Sequence, residues 1–168
     1  MDELIALAKG QLGRINALCA QVGLKYTEIP DSFMGAGVGV AFSETDYVVL
    51  SVLGGGSEGK LMITCGLAKD IKQDRLAALD ASNTFTRNNT IFPVFLHDAK
   101  DTWSLLVQLT YTIDLLLDNP DYFAMVVRTT PQVAAQHRAE LAEKYDLGGQ
   151  PWRWTSEDLG LLLLKSLL

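Results

Sequence analysis

The stretch WSLLVQLTYTI, residues 103–113, alternates apolar and polar side chains over eleven positions. Every second residue is polar except Leu106, which breaks the alternation. A period of two sends successive side chains to opposite faces of a strand, so one face is apolar and the other largely polar. The stretch therefore predicts a long strand. The apolar run 91–96 predicts its antiparallel partner, joined to it by the turn 97–101.

Hydrophobic periodicity and turn signals divide the rest of the chain around this hairpin. The predicted order is α-β-β-β-β-α-β-β-α, with an extra C-terminal helix. Its segments are helices at 2–22, 71–88 and 120–145, and strands at 24–29, 36–42, 47–53, 61–67, 91–96 and 103–113. Thr130-Pro131 leaves open whether the last region is two helices or one kinked helix. Runs of adjacent strands indicate an α+β fold, with an antiparallel sheet packed by helices.

The 168-residue length suits one compact domain with a short appendix. Gly148-Gly149 marks a flexible break, which divides the chain into a domain at 1–147 and a helical appendix at 148–168. The appendix carries Trp152 and Trp154, and its last ten residues, 159–168, contain seven leucines. Because that many large apolar side chains do not stay in water, we expect the appendix to dock on the domain, a second subunit or another protein.

The stretch GGGSEGKL, residues 54–61, matches the first seven positions of a phosphate-binding loop. A working loop continues with Ser or Thr, whose hydroxyl binds Mg²⁺, but Leu61 stands there. Such a loop also leads into a helix, whereas residues 61–67 have the pattern of a strand. The sequence therefore favours a hairpin loop over a nucleotide site.

Composition excludes several classes of function. The formal net charge is -6, whereas a protein that binds duplex nucleic acid needs clustered Lys and Arg. Cys19 and Cys65 lie among apolar neighbours and are predicted to be buried free thiols, and we expect no metal and no cofactor. The sequence shows neither a signal peptide nor a membrane-spanning run, so we expect a cytoplasmic protein.

The two histidines are possible functional sites. His97 lies beside Asp98 and Asp101 in a predicted turn, where such a cluster could act as an acid or base or bind a metal. Aspartates are common in turns for local hydrogen-bonding reasons, so a structural role is favoured. His137 shares a helical stripe with apolar residues and is predicted to lie in or beside the core.

Apolar residues on two sides of the helix 71–88 indicate that this helix is covered twice. Ala81 and Phe85 are candidates for contact with a second subunit, and coverage by another helix of the same chain is the alternative. Further candidate interface residues lie in the appendix, where aromatic and leucine side chains suit a protein–protein contact. They are Trp152, Trp154, Leu159, Leu162 and Leu163.

The segment LAALDASNTFTRNNTIFPVFLHD, residues 76–98, resembles the helix-to-strand signature of the YbjN-like proteins, with Leu79, Asn83, Arg87 and Asn88 in the matching positions. The resemblance extends over residues 1–145 and implies the fold of type III secretion chaperones. It further implies a homodimer that binds a polypeptide partner and has no catalytic activity. The glycine-rich loop and the leucine-rich tail of this chain depart from that pattern.

Two other functions remain open at this stage. One is a regulatory domain that binds a small molecule in a cavity near His97, Asp98, Asp101 and Trp103. The other is a structural dimerisation module of a larger assembly. An acidic surface would in either case keep the chain soluble and favour basic partners.

Overall fold

The structure, a computed structural model, describes residues 2–32, 35–42, 46–53, 59–71, 75–99 and 102–144. Four helices and six strands follow one another in these segments. They are α1 (Asp2–Gln21), β1 (Thr27–Ser32), β2 (Gly35–Ala41), β3 (Tyr47–Leu53), β4 (Lys60–Ile71), α2 (Arg75–Asn88), β5 (Val94–Ala99), β6 (Thr102–Thr112), α3 (Ile113–Asp118) and α4 (Pro120–Lys144).

All six strands form one antiparallel sheet in the order β1-β2-β3-β4-β6-β5. The sequence 103–113 is thus the strand β6, which lies between β4 and the edge strand β5. Its register pairs Thr64 with Gln108 on one side and Phe95 with Leu106 on the other. The predicted α+β class, the predicted order of elements and the hairpin of β5 with β6 are confirmed.

Several elements differ from the sequence-based prediction. Strand β1 covers Thr27–Ser32 instead of residues 24–29, because Pro30 is tolerated within an edge strand and does not end it. Strand β4 continues to Ile71, so α2 begins at Arg75 instead of residue 71. Strand β5 begins at Val94, because Pro93 has no N–H to donate and therefore precedes the paired residues. Helix α3 was not predicted, since six residues are too short to show a helical period.

The helices lie against one face of the sheet, which we call the helix face. Side chains of all four helices join a single apolar core with alternate residues of the strands, for example Leu50, Ile63 and Leu109. These three lie in one row across β3, β4 and β6. The opposite face, which we call the far face, carries the residues between them, such as Val49, Thr64 and Gln108.

Helix α4 runs without interruption through Pro131, so the alternative of two separate helices is wrong. A proline removes one backbone N–H from the helix. Beside it, the hydroxyl of Thr130 donates to the carbonyl of Val126, one turn earlier in the helix, at 2.8 Å. In the part of the chain that the structure describes, no helix is both long enough and apolar enough to cross a membrane.

Candidate partner-binding surface

The glycine-rich stretch lies on the β3–β4 hairpin. Leu53 pairs with Lys60, so the lysine begins a strand, as predicted, and does not begin a helix. Gly59 is buried, and its carbonyl accepts a hydrogen bond from the N–H of Ile113 at 2.8 Å. A Cβ at Gly59 would lie 3.0 Å from side-chain atoms of Gln11 and Ile113. The glycine therefore serves close packing against α1 and α3. Residues 54–58 lie outside the described part of the chain.

Ala81 and Phe85, the predicted interface residues of α2, are buried in the core of the chain itself. The ring of Phe85 lies against that of His137 on α4, with centroids 4.4 Å apart. Coverage by another helix of the same chain, the alternative reading, is what the structure shows for Phe85. Both side chains are thus part of the core of the single chain, and their role at an interface with a second subunit stays a prediction.

The remaining interface candidates belong to the C-terminal appendix. Trp152, Trp154, Leu159, Leu162 and Leu163 all lie outside the described residues. The division of the chain at residue 148 and the extra C-terminal helix likewise stay predictions.

His97 and Asp98 lie within the strand β5, and not in the turn where the sequence suggested them. His97 pairs with Ser104 across the hairpin and is half-buried. Asp101 lies outside the described residues. Among the described residues, no group of three or more His, Cys, Asp or Glu side chains is placed to hold a metal ion.

His137 lies in the core, as predicted. Neither ring nitrogen has a hydrogen-bond partner among the described residues. Burial lowers the pKa of His137 below its usual value because the charged imidazolium would lose its hydration, and the nearby Glu140 opposes this shift only in part. The side chain therefore acts as a neutral, packing aromatic ring.

The two cysteines are buried free thiols, as predicted. Burial raises the pKa of Cys19 to about 11, and that of Cys65 also to about 11. Arg138 acts against the shift at Cys65 but does not cancel it. Since the thiolate is the reactive form, neither thiol is set up as a nucleophile at neutral pH.

The two edges of the sheet differ in how well they are protected. Strand β1 contains Pro30, and its register with β2 shifts between Ile29 and Ser32. Proline and bulges both prevent further strands from pairing at an edge. Strand β5 contains no proline and no register shift against β6. It is therefore the edge that is better suited to pairing with an added strand.

Helix α2 covers one end of the β5 edge through two hydroxyl side chains. The N–H of Val94 donates to Thr86 Oγ1 at 2.9 Å, and its carbonyl accepts from Ser82 Oγ at 2.7 Å and from Thr86 Oγ1 at 3.0 Å. The preceding carbonyl, of Pro93, faces β6 and accepts from the N–H of Gln108. Because backbone groups alternate along an antiparallel strand, Leu96 and Asp98 also direct their N–H and C=O groups away from β6.

Two large apolar side chains are exposed at this edge. Phe95 on β5 is 47% exposed, and Ile91 in the connection from α2 is 66% exposed. Phe95 pairs with Leu106 and so points to the far face. The backbone groups of Leu96 and Asp98 that face away from β6, together with these two side chains, form what we call the β5 surface. Sequence reasoning missed it because the apolar run 91–96 looked like an ordinary buried strand.

Comparison with known proteins places this geometry in a known fold. No family model matches the chain, and no curated protein matches it. A solved structure of an uncharacterized protein from Methanothermobacter thermautotrophicus is similar, with 15% identity, a TM-score of 0.54, and coverage of 80% of this chain and 99% of that chain. A structure of the E. coli protein YbjN is similar over 77% of this chain and 89% of its own, with 12% identity and a TM-score of 0.48.

At these identities the similarity concerns the fold and no activity. The archaeal structure is matched over almost its full length, so its chain has the order of helices and strands described above. The chain shares its fold with the archaeal protein.

Proposed function

We propose that this chain is a non-catalytic module that binds a polypeptide partner at the β5 surface, in the manner of a small chaperone or adaptor. The observation that carries the proposal is the exposure of Phe95 on an edge strand whose backbone at Leu96 and Asp98 faces away from the sheet. An extended peptide that pairs with such an edge gains main-chain hydrogen bonds, and an exposed aromatic ring beside it offers an apolar contact.

The net charge of -6 supports a basic partner. Opposite charges speed the encounter of two proteins, and like charges exclude acidic competitors. The capping of Val94 by Ser82 and Thr86 limits the free edge to a few residues. This arrangement favours a short segment over unlimited sheet growth, since a long open edge would promote aggregation.

The proposal includes a homodimer, which the chaperone-like fold suggests. Exposed apolar side chains on α3 and α4 support it: Leu115 is 48% exposed, Tyr122 is 38% exposed and Met125 is 49% exposed. Tyr122 and Met125 are three residues apart and share a helix face. Sedimentation velocity of the wild type and of Met125→Asp tests the dimer, and a monomer at all concentrations of the wild type contradicts it.

The partner surface is tested separately, with the full-length protein as bait in its native cell. We expect a polypeptide at fixed stoichiometry with the wild type, and a loss of at least ~10-fold with Phe95→Asp, as for an apolar anchor at an interface. The matched control is Thr110→Asp, an exposed site on the far face of β6. Recovery of the wild type alone, or equal recovery of a partner by all three proteins, contradicts the proposal.

A further inference from the structure

The far face of the sheet is covered by atoms of the same chain. Val49 on β3 and Met62 on β4 are each 1% exposed, and Leu106 on β6 is 0% exposed, in the single chain. All three alternate with core residues and point to the far face. Apolar side chains on an open sheet face keep much of their surface accessible to water. Gln108 on the same face covers part of Met62, since its Nε2 lies 2.5 Å from the methionine sulfur. Residues outside the sheet must therefore lie over the rest of these three side chains.

The cover is limited to the middle of the far face. Lys60 and Thr110, which lie on the same face towards one end of β4 and β6, are exposed. Gly37, Ser51, Thr64 and Gly66 share the face with the three apolar residues, and all four are buried. The result is a band of small and apolar residues that crosses β2, β3, β4 and β6.

None of the described helices provides this cover. Each of α1, α2, α3 and α4 places its buried apolar side chains in the core on the helix face, which contains neither Val49 nor Met62 nor Leu106. The segments outside the described residues are at most five residues long, except for 145–168. A loop of five residues or fewer cannot cover a band that crosses four strands, because such strands span ~14 Å. The C-terminal segment is long enough.

The composition of the C-terminal segment fits the band. The face offers small residues, which leave room above the sheet, and the tail offers seven leucines among residues 159–168 together with Trp152 and Trp154. The Oγ1 atom of Thr64 is buried and has no hydrogen-bond partner among the described residues. A polar covering segment would offer this hydroxyl a partner, whereas a leucine-rich one would not.

The geometry of α4 brings the tail within reach. Arg138, near the end of this helix, donates to the carbonyl of Gly66, a residue of the band, and to Asp46, just before β3. From Lys144, residues 145–150 span up to ~20 Å when extended, which exceeds the ~10 Å thickness of a sheet layer. A helix over residues 155–168 would be ~21 Å long and could cross four strands.

We propose that residues 151–168 pack in cis across the far face of the sheet and cover Val49, Met62, Thr64 and Leu106. The appendix is then the second layer over this sheet and completes the domain. This inference does not depend on the proposed partner binding at the β5 surface, because the two concern different residues and different tests.

The test uses the reactivity of introduced thiols in the full-length chain. Thr64→Cys places a thiol under the proposed cover, and Thr110→Cys places one on the exposed part of the same face. The native thiols of Cys19 and Cys65 are buried and contribute little background labelling. We expect maleimide to label position 64 at least ~10-fold more slowly than position 110, as for a site that reacts only after local opening.

Substitutions in the tail identify the cover. In the Thr64→Cys chain, Leu162→Asp with Leu163→Asp should bring the labelling rate close to that of position 110. Ser166→Asp, the matched control, should leave it slow. Circular dichroism verifies that each variant is folded. Slow labelling of position 64 that persists in the folded double-aspartate variant overturns the proposal.

A cross-link distinguishes cis from trans docking and does not depend on the aspartate variants. Thr64→Cys combined with Leu162→Cys, treated with a short bismaleimide at high dilution, should give a cross-linked product of monomer mass. A product of dimer mass means that the tail covers the face of a second subunit, which overturns docking in cis. The absence of any cross-link, after a reaction long enough for maleimide to label both positions in the folded chain, overturns the contact itself.

Discussion

The ring of Phe85 on α2 and the ring of His137 on α4 lie with their centroids 4.4 Å apart and their planes tilted by 34°. This contact joins the two helices over the helix face of the sheet. The sequence suggested Phe85 for an interface and predicted that His137 lies in or beside the core. Both act in the packing of the single chain, and the histidine does so in its neutral form.

The contact predicts a pH dependence of stability. Burial lowers the pKa of His137 in the folded chain, whereas in the unfolded chain it is about 6.5. Between these two values the unfolded chain binds more protons, so the free energy of unfolding falls as the pH drops below about 6.5 and levels off below the folded pKa. Urea denaturation of the wild type and of His137→Leu from pH 8 to pH 5 measures the difference.

We expect the stability of His137→Leu relative to the wild type to rise as the pH falls, because leucine has no proton to bind. The control is Gln136→Leu, an exposed neighbour on α4. Its pH profile should run parallel to that of the wild type. Parallel profiles for His137→Leu and the wild type would show that the imidazole titrates equally in both states, contrary to the prediction.

The location of the candidate surface could not be predicted from the sequence. Helical spacing identified the apolar sides of α2, but it cannot tell whether a helix of the same chain or a second subunit covers them. The β5 surface depends on strand order, since Phe95 is exposed only because β5 lies at an edge of the sheet. Strand order follows from long-range pairing, which no local pattern encodes.

The capping of β5 by α2 predicts a large effect of one isosteric substitution. Thr86→Val removes the acceptor of the Val94 N–H and one donor to its carbonyl, at nearly constant volume. An unsatisfied backbone group in a half-buried site costs about 1–3 kcal/mol, so we expect a loss of stability of that size. Equilibrium denaturation measures it.

Thr84→Val on the same helix is the control and should change stability by less than ~0.5 kcal/mol, as is usual away from such bonds. The Thr86→Val variant should also aggregate more readily, because a longer part of the β5 edge becomes free to pair. Equal stability and equal light scattering of the two variants would contradict the role of Thr86.

A third prediction concerns Gly39 on β2 and Tyr47 on β3. A Cβ on Gly39 would lie within 3 Å of three atoms of the tyrosine ring and hydroxyl, so the ring covers the glycine. Gly39→Ala should displace this ring and lower the stability by roughly 1–2 kcal/mol through lost burial. In a Tyr47→Ala background, the same substitution should have little effect. A double-mutant cycle with no coupling energy contradicts the contact.

The order of elements, by contrast, was accessible to local reasoning. Period two over residues 61–67 and 103–113 identified β4 and β6, and helical periods identified α1, α2 and α4. Local patterns failed where they are short or interrupted. Helix α3 has fewer than two turns. Strand β4 extends through the charged residues Lys69 and Asp70, which do not look like a strand, and its register with β6 shifts after Gly66.

The last prediction concerns Arg138, which contacts β4 where this register shift begins. Between Gly66 and Ala68 the ladder of β4 with β6 is irregular, and Arg138 of α4 donates to the Gly66 carbonyl at 3.0 Å and to Asp46 Oδ1 at 2.5 Å. Both partners of this ion pair are largely shielded from water, with 21% and 32% of their side chains exposed. The guanidinium thus joins α4 both to β4 and to the residue just before β3.

Arg138→Met should lower the stability by about 1–3 kcal/mol, because a carbonyl and a carboxylate lose a charged donor. Arg138→Lys should recover part of the loss, since an ammonium group cannot span both acceptors as a planar guanidinium does. A double-mutant cycle with Asp46→Asn separates the ion pair from the bond to Gly66. If Arg138→Met is as stable as the wild type, the bonds of Arg138 contribute nothing measurable, and α4 is held by its apolar face alone.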